Sequence, residues 1–372
     1  MRELRFADAR APRLPDLQDV SRSGDSAARN TSAVANVLFR VAVDALGGDH
    51  PPDEIVAGAV DASTVAIRPI VYGPAGLDTH GLEHVVTTEM VEMDDKPGEA
   101  VRGKPDSSLV RAVRAVGDDE ADAVVSAGNT GAVLAASLLH VRRLQGVYRP
   151  GIAVVIPTAH GPSVLIDAGA NADARPEHLL QFGHMGAIFA EEVLGVEQPR
   201  VRLLSIGEEP EKGNQLTLDA HALLAASSLR FGGNMEGGSL LAGEADVIVC
   251  DGFTGNVALK TLEGTIRSLV TALRSEIVST ARGKLGGFLI KPAAGALRAQ
   301  LDPELTGGGY LLGLRGIVVI AHGSSSRIAI ASAIRLAARG IEHDVVSRLR
   351  EALPERVVES ARSTNPSGTT RG

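Results

Sequence analysis

The sequence predicts an α/β fold of the Rossmann-like class, with a mostly parallel sheet between two layers of helices. Short runs rich in valine and isoleucine alternate with longer segments in which apolar residues recur at helical spacing. Such alternation is typical of parallel sheets covered by helices on both faces. Aromatic residues make up only 3% of the chain and tryptophan is absent, so we expect a core of aliphatic side chains.

The predicted elements follow one another along most of the chain. Eight apolar runs are predicted strands, at 38–43, 67–72, 122–126, 151–156, 163–167, 200–206, 245–250 and 316–321. The clearest intervening helix contains Leu179, Phe182, Met185 and Ile188 at steps of three and four. We predict a disordered extension at 1–36, a single α/β catalytic domain at 37–352 and a disordered tail at 353–372.

Composition excludes several classes of protein. The net charge of -8 over 372 residues gives no sign of a nucleic-acid binder, which usually has a concentrated basic surface. The single cysteine, Cys250, cannot form an intramolecular disulfide, and its place at the end of an apolar strand favours an inert thiol over a nucleophile. No secretory signal or run of about 18–20 apolar residues is present, so we expect a cytoplasmic protein that is soluble or peripheral to a membrane.

Five loops rich in glycine and polar residues each follow a predicted strand. They lie at 43–50, 126–131, 167–171, 250–256 and 321–326. Ligands of open α/β sheets bind at the carboxyl ends of the strands, where such loops converge. Glycine lets backbone N–H groups approach a ligand closely, and a helix that starts there favours an anion. The sequence therefore predicts one composite site, with a phosphate in it.

The loops match none of the common cofactor motifs. The first loop lacks the Gly-x-Gly-x-x-Gly spacing of dinucleotide-binding proteins, and no Gly-x-x-x-x-Gly-Lys string of a nucleotide-binding P-loop is present. Neither the histidines nor Cys250 have paired metal-ligand spacing. We therefore expect no metal and no other cofactor. A serine hydrolase is disfavoured because the Gly-x-Ser-x-Gly elbow is absent.

Several residues are candidates for handling an anion. Asn129 and Thr130 open a predicted helix, where backbone amides and a hydroxyl would form an anion seat. Lys212 stands among acidic residues directly after a predicted strand, which favours a functional role. Lys104 precedes another helix, where a solvated cation is an equal alternative. The sequence leaves three roles for His322 equally open, namely a proton donor, a phosphate ligand and a structural histidine.

A basic segment interrupts the alternation of strands and helices at 267–300. It contains six basic residues against a single acidic one, and its second half places Leu285, Phe288, Leu289 and Ile290 between glycines and lysines. Basic segments with apolar side chains bind acidic partners or membrane surfaces. A helical hairpin packed in a dimer interface is an equal alternative, and both readings are compatible.

Taken together, the motifs resemble the phosphate acyltransferase family of bacterial phospholipid synthesis. The matching strings lie in the same order as in the family, at 41–50, 104–108, 126–132, 167–171, 176–182, 206–214, 233–237, 250–256 and 316–325. The resemblance implies an α/β/α sandwich related to phosphotransacetylases, a homodimer, and a helical hairpin at about 265–300. It also implies transfer of a long acyl chain from acyl carrier protein to inorganic phosphate. The acyl-phosphate would pass to a membrane acyltransferase that acylates glycerol 3-phosphate, and the protein would contact the membrane peripherally through 267–298.

The resemblance and the loops together define a set of candidate residues. We expect phosphate near Asn129 and Thr130, a cation from Lys212 or Lys104, an oxyanion hole from loop amides, and a proton from His50 or His322. The catalytic candidates are Lys212, Asn129, His50, His322 and Asp251. The candidates for binding phosphate or the acyl group are Gly47, Gly48, Lys104, Ser107, Ser108, Thr130, Gly131, Asn171, Asn214, Gly252, Asn256 and Ser324.

Two other functions are compatible with these loops. One is an enzyme similar to phosphotransacetylases that uses acyl-CoA, and donor preference distinguishes it. The other is a membrane scaffold without activity, which the intact loops disfavour. The family often has two adjacent basic residues where Gly103 and Pro105 flank Lys104 here, so the resemblance does not establish the role of Lys104.

Overall fold

The computed structural model describes residues 38–158, 160–301 and 306–353. The predicted extension at 1–36 and nearly all of the predicted tail lie outside these residues. The strands are β1 (Phe39–Asp44), β2 (Ile67–Gly73), β3 (Glu83–Val86), β4 (Ala123–Ser126), β5 (Gly151–Thr158), β6 (Gly161–Ile166), β7 (Val201–Ser205), β8 (Phe231–Glu236), β9 (Val247–Val249), β10 (Gly309–Leu312) and β11 (Ile317–Ile320). All eight predicted strands are confirmed, and the sequence analysis missed β3, β8 and β10.

Helices cover both faces of this sheet, as predicted. Within the described residues they are α1 (Asp53–Ala62), α2 (Pro97–Gly103), α3 (Ser108–Gly117), α4 (Thr130–His140), α5 (Pro176–Leu194), α6 (Gln215–Ala225), α7 (Gly252–Val278), α8 (Ala281–Leu301) and α9 (Arg327–Glu342). One core cluster joins the sheet to α1, α5 and α9. A second joins the opposite face to α2, α3 and α4. The predicted three-layer α/β architecture is therefore confirmed.

The strands form one sheet in the order β3-β2-β1-β4-β11-β10-β5-β6-β9-β7-β8. β3, β2, β1, β4 and β11 are mutually parallel, and we call them the β1 group. β6, β9, β7 and β8 are also mutually parallel, and we call them the β6 group. Between the groups lie β10 and β5, which pair antiparallel to each other and to their outer neighbours. Three successive antiparallel pairings make the β1 group and the β6 group run in opposite directions.

Because of this reversal, the five predicted loops follow strands that run in two opposite directions. The loops at 43–50, 126–131 and 321–326 follow strands of the β1 group, whereas those at 167–171 and 250–256 follow strands of the β6 group. Their carboxyl ends therefore point toward opposite edges. The sequence analysis predicted a mostly parallel sheet but did not predict β10, whose antiparallel pairings contribute to the reversal.

Two long helices occupy the basic segment. α7 has 27 residues, α8 has 21, and only residues 279 and 280 separate them. Most described side chains of α8 are exposed, among them Leu285, Phe288 and Leu289. No described helix combines the length and the apolar character that crossing a membrane requires. Whether these helices form an insertion into the predicted domain stays a prediction.

Candidate active site

A cleft of about 880 Å³ lies on the face of the sheet that carries α4 and α7. Its lining from the β1 group includes Asp49, Gly128 and Thr130, together with Ile320 at the end of β11 and residues 321–325 after it. Ala168 and Gly169 after β6 line it as well, with side chains of α7 from Asn256 to Arg274. The cleft thus connects loops of both groups, although their strands run in opposite directions.

Strands β5 and β10 form the floor of the cleft between the two groups. Ile152 and Val154, two residues apart on β5, both line it, as alternate residues of a strand share one face. Gly309 of β10 pairs with Val154 and with Ile320. A Cβ on Gly309 would lie 2.8 Å from Ile152 Cγ2 and 2.9 Å from Val154 Cγ2. Glycine is therefore required here for the two β5 side chains to pack as they do.

The amino terminus of α4 borders the cleft at Thr130. Asn129 caps the helix, because its Oδ1 accepts a hydrogen bond from Ala132 N at 3.1 Å. Its Nδ2 donates to Met93 O at 2.9 Å and to Asp95 O at 3.2 Å. Both ends of the Asn129 amide are thus engaged by the protein, whereas Thr130 lines the cleft. An anion in the cleft would meet the positive end of α4.

A buried carboxylate supports the loops after β1 and β4. Asp44 accepts hydrogen bonds from Ser108 Oγ at 2.5 Å and from Ser126 Oγ at 2.7 Å. Burial raises the pKa of Asp44, and the two hydroxyl donors oppose that rise. Ser126 Oγ in turn accepts from Gly128 N at 3.1 Å. Asp44 therefore fixes the backbone at Gly128, which lines the cleft.

A second buried carboxylate, Asp167, orders the loop after β6. It accepts from Ile152 N at 3.0 Å, from Asn171 N at 2.7 Å and from Asn171 Nδ2 at 2.7 Å. Asn171 also donates to Pro150 O at 2.8 Å. Gly252, at the start of α7, packs on this loop so closely that a Cβ would lie 2.7 Å from Asn171 N. Asn171 and Gly252 thus join the loop to α7.

His322 lies at the cleft on the loop after β11. Its Nδ1 accepts a hydrogen bond from Ser324 N at 3.3 Å and lies 2.9 Å from Ser324 Oγ. A neutral imidazole that accepts at Nδ1 carries its proton on Nε2, where it is a donor. The same loop is tied to the first loop, because Asp49 N donates to Gly323 O at 2.7 Å. The geometry is compatible with proton donation or anion binding by His322.

The structure brings some of the predicted residues to the cleft and leaves others outside its lining. Those that line it are Thr130, Asn256, His322 and Ser324. Those that do not are Lys212, Asn129, His50, Asp251, Gly47, Gly48, Lys104, Ser107, Ser108, Gly131, Asn171, Asn214 and Gly252. Many of the latter have structural contacts. Ser107, Asn214 and Asp251 cap α3, α6 and α7.

The two predicted lysines have different surroundings. Lys104 Nζ forms an ion pair with Asp95 Oδ2 at 2.5 Å, and this hydrogen bond raises the pKa of Lys104. Its charge is therefore already matched by a carboxylate. Lys212 is exposed in the loop after β7, two strands beyond β6 in the sheet. A role for Lys212 in the reaction stays a prediction.

Sequence reasoning missed several residues of the cleft. Lys260, Arg267 and Arg274 line it from α7 at steps of seven residues, which places them along one side of the helix. The sequence analysis assigned Arg267 and Arg274 only to an outer docking surface. Thr306–Gly309 also line the cleft, and their run of three glycines was the signal available in the sequence. No group of three or more potential metal ligands occurs among the residues that the structure describes.

Comparison with solved structures defines the class of fold. A branched-chain phosphotransacylase from Enterococcus faecalis is similar over 82% of this chain and 100% of its own, with a TM-score of 0.54 and 18% identity. A phosphotransacetylase from Streptococcus pyogenes covers 82% of this chain and 96% of its own, with a TM-score of 0.53 and 17% identity. The fold is that of the phosphotransacylases.

Sequence comparison then gives the family. A family model described as "Fatty acid synthesis protein" matches residues 39–348. The phosphate acyltransferase of Heliobacterium modesticaldum is 44% identical over 331 residues, which are 86% of this chain and 99% of that protein. The phosphate acyltransferase of Desulfitobacterium hafniense is 46% identical over 327 residues, 85% of this chain and 98% of that protein. The chain belongs to this family of phosphate acyltransferases.

Proposed function

We propose that the protein transfers a long-chain fatty acyl group from the thioester of acyl carrier protein to inorganic phosphate. The acyl-phosphate product serves phosphatidic acid and phospholipid synthesis. The observation that supports this most directly is one cleft in which an anion-attracting helix start meets an apolar wall. Family membership supports the acyl transfer itself.

The reaction needs no nucleophile from the protein. A phosphate oxygen attacks the thioester carbonyl carbon, the carbon–oxygen bond forms, and the carbon–sulfur bond then breaks to release a thiolate. The site has to hold phosphate next to the carbonyl and to stabilise the oxyanion between these two steps. Thr130 and the start of α4 would hold the phosphate. The Nε2–H of His322 would donate a hydrogen bond to the phosphate or to the departing thiolate, which leaves without being protonated by the imidazole.

The cations of α7 are part of this proposal. Phosphate and thioester donor bring negative charge, and Lys260, Arg267 and Arg274 bring positive charge along one wall of the cleft. Acyl carrier protein is acidic, so Arg267 and Arg274, with the basic residues of α8, would form its docking surface. The exposed apolar side chains of α8, such as Phe288 and Leu289, are compatible with peripheral membrane contact or with a second copy of the chain in a homodimer.

The test is phosphate-dependent release of carrier-protein thiol from a long-chain acyl carrier protein, beside the matching acyl-CoA. We expect turnover with the carrier-protein donor. Turnover with acyl-CoA alone would replace the proposed donor, and no turnover with either would reject the function.

Phosphate kinetics of two variants then locate the phosphate. Thr130→Ala should raise the KM for phosphate if phosphate binds at the start of α4. Lys212→Ala should raise it as well only if the loop after β7 reaches the substrate. An unchanged phosphate KM in Thr130→Ala, with a raised phosphate KM in Lys212→Ala, would instead place the phosphate-binding site at the loops of the β6 group.

A further inference from the structure

The cleft has an apolar stretch that phosphate does not explain. Ile152, Val154 and Ile320 on the sheet face Leu259, Ile266 and Val270 across it, and all six line the cleft. A phosphate needs only the polar end of the cleft, at Thr130 and the loop after β11. A cleft of about 880 Å³ has instead the size of a site for a whole small-molecule ligand.

The length of the apolar stretch fits a fatty acyl chain. Leu259 and Val270 are eleven residues apart on α7, which corresponds to about 16 Å along the helix axis. The hydrocarbon core of a bilayer is about 30 Å thick and two acyl chains deep, so one chain spans about 15 Å. The apolar side chains of α7 thus extend over the length of one such chain.

The polarity of the cleft gives the chain a direction. Asn256 of α7 lies next to Gly169 on the loop after β6, and α7 continues from there along the cleft to Arg274. A ligand with an anionic head and an apolar tail would match a cleft with both a helix start and an apolar wall. A hydrocarbon chain along Leu259, Ile266 and Val270 would be removed from water, while the exposed side chains of Lys260 and Arg267 on the same helix keep their charges in water.

We propose that the groove between α7 and strands β5 and β11 binds the acyl chain of the substrate, and that Ile266 and Val270 limit its length. This inference rests on the proposed acyl transfer and assigns the subsite for the hydrocarbon. The side chains of Ile266 and Val270 lie on a helix surface that faces the cleft. A larger side chain there shortens the groove without entering the core of the sheet.

The first experiment compares chain-length preference in two variants of the full chain. Ile266→Trp narrows the groove, and Leu269→Trp is the control because Leu269 is 67% exposed on the same helix and does not line the cleft. Each buried methylene changes binding by about four-fold. If Ile266→Trp excludes two or three methylenes of a C16 chain from the groove, the ratio of kcat/KM for a C16 donor to that for a C8 donor should fall by about ten-fold or more. The same ratio should not change in Leu269→Trp. An unchanged ratio in Ile266→Trp, or the same change in Leu269→Trp, would overturn the inference.

A second experiment measures binding without turnover. Val270→Cys places a thiol in the groove, with Leu273→Cys as the control on the same helix, since these positions are 42% and 59% exposed and Leu273 does not line the cleft. The native Cys250 is buried and should not react. Palmitate should slow maleimide labelling at position 270 but not at 273, and octanoate should protect less.

These outcomes separate the groove from the proposed function. Palmitate protection at position 270 without turnover on any donor would support acyl-chain binding in the groove and reject the proposed acyl transfer. Turnover with no palmitate protection at position 270, or with equal protection at position 273, would support the proposed acyl transfer and reject acyl-chain binding in the groove. Concentration-dependent blocking of position 270 without palmitate would show that a second copy of the chain covers this wall, which also overturns the inference.

Discussion

Ser126 links a buried carboxyl group, that of Asp44, to the backbone of the cleft. Its hydroxyl donates to Asp44 and accepts from Gly128 N, so one oxygen connects the carboxylate to a cleft-lining loop. The strand that ends at Ser126 was predicted, and so was the loop. The hydrogen bonds from Ser126 and Ser108 to Asp44 join residues 82 and 64 positions apart, and no local pattern indicates them.

We therefore expect Ser126→Ala to weaken phosphate binding. Loss of the hydroxyl frees Gly128 N and removes one donor from Asp44, at a cost of about 1–3 kcal/mol in unfolding free energy. The loop should become less ordered, and the KM for phosphate should rise by about three- to ten-fold. Steady-state kinetics and chemical denaturation measure the two effects.

Ser163→Ala is the matched control for this prediction. Ser163 and Ser126 are both 2% exposed in strands of the sheet, and Ser163 Oγ donates to Ala245 O at 2.6 Å, away from the cleft lining. Ser163→Ala should lose similar stability while keeping its phosphate KM. Equal kinetic effects of the two substitutions would show that Ser126 acts through stability alone.

Cys250 lies close to the cleft but should not take part in the reaction. It is buried at the start of the loop between β9 and α7, and burial raises the pKa of its thiol well above the ordinary value. A neutral buried thiol is a poor nucleophile. Cys250→Ala should therefore keep its kcat, whereas loss of a true nucleophile lowers kcat by several orders of magnitude. A loss of that size in a folded variant would contradict this assignment.

At the scale of elements, an ion pair fixes the strands of the β6 group at their amino-terminal ends. Arg200, directly before β7, contacts Asp246, directly before β9, through Nε and Nη2 at 2.9 Å each. Arg200 N also donates to Asp246 at 2.8 Å. Burial pushes the pKa of Asp246 up, but the hydrogen bonds from Arg200 outweigh it and leave that pKa below its ordinary value.

The sign of this shift gives a prediction about pH. A carboxyl group whose pKa is lower in the folded state stabilises the protein above its unfolded pKa of about 3.9, and that contribution disappears as the pH falls through the folded pKa. Because Arg200 is partly exposed, we expect Asp246→Asn to cost only about 1 kcal/mol at pH 7. The difference from wild type should vanish at low pH. Urea denaturation as a function of pH measures it, with the exposed Glu208→Gln as a control that should match wild type throughout.

At the scale of the whole molecule, the cations of α7 should govern how the donor binds. The net charge is -8, yet Arg267 and Arg274 lie together on one wall of the cleft. The double substitution Arg267→Glu/Arg274→Glu should raise the KM for the acyl carrier protein donor by about ten-fold at low salt. This increase should be smaller near 0.5 M salt, because the screening length there is on the order of 4 Å.

Arg102→Glu provides the control for this charge reversal. Arg102 is exposed on α2 and does not line the cleft, and reversing it changes the net charge as much as reversing either Arg267 or Arg274 alone. Arg102→Glu should leave the donor KM unaltered, whereas each single reversal on α7 should raise it. A donor KM that does not depend on ionic strength in the wild-type protein would reject electrostatic docking altogether.

Local sequence patterns determined most of the elements. The eight predicted strands are present because each is a short β-branched run that one face or both faces of a sheet can bury. β3, β8 and β10 were missed because they are short or rich in glycine, as in Phe231-Gly232-Gly233 of β8, and glycine weakens the strand pattern. Thr130 and His322 were found because glycine and polar residues directly after a strand indicate a ligand loop.

The sequence by itself determined the fold class, the family and the identity of the loops that line the cleft. Only the tertiary structure decided how those loops are arranged. The direction of a strand depends on its pairing partners, and the three antiparallel pairings around β10 and β5 reverse the β6 group. That reversal places an apolar floor between two polar ends. Residues as far apart in the chain as Ile152, Ile266 and Ile320 become one surface there, because packing joins positions that no local spacing relates.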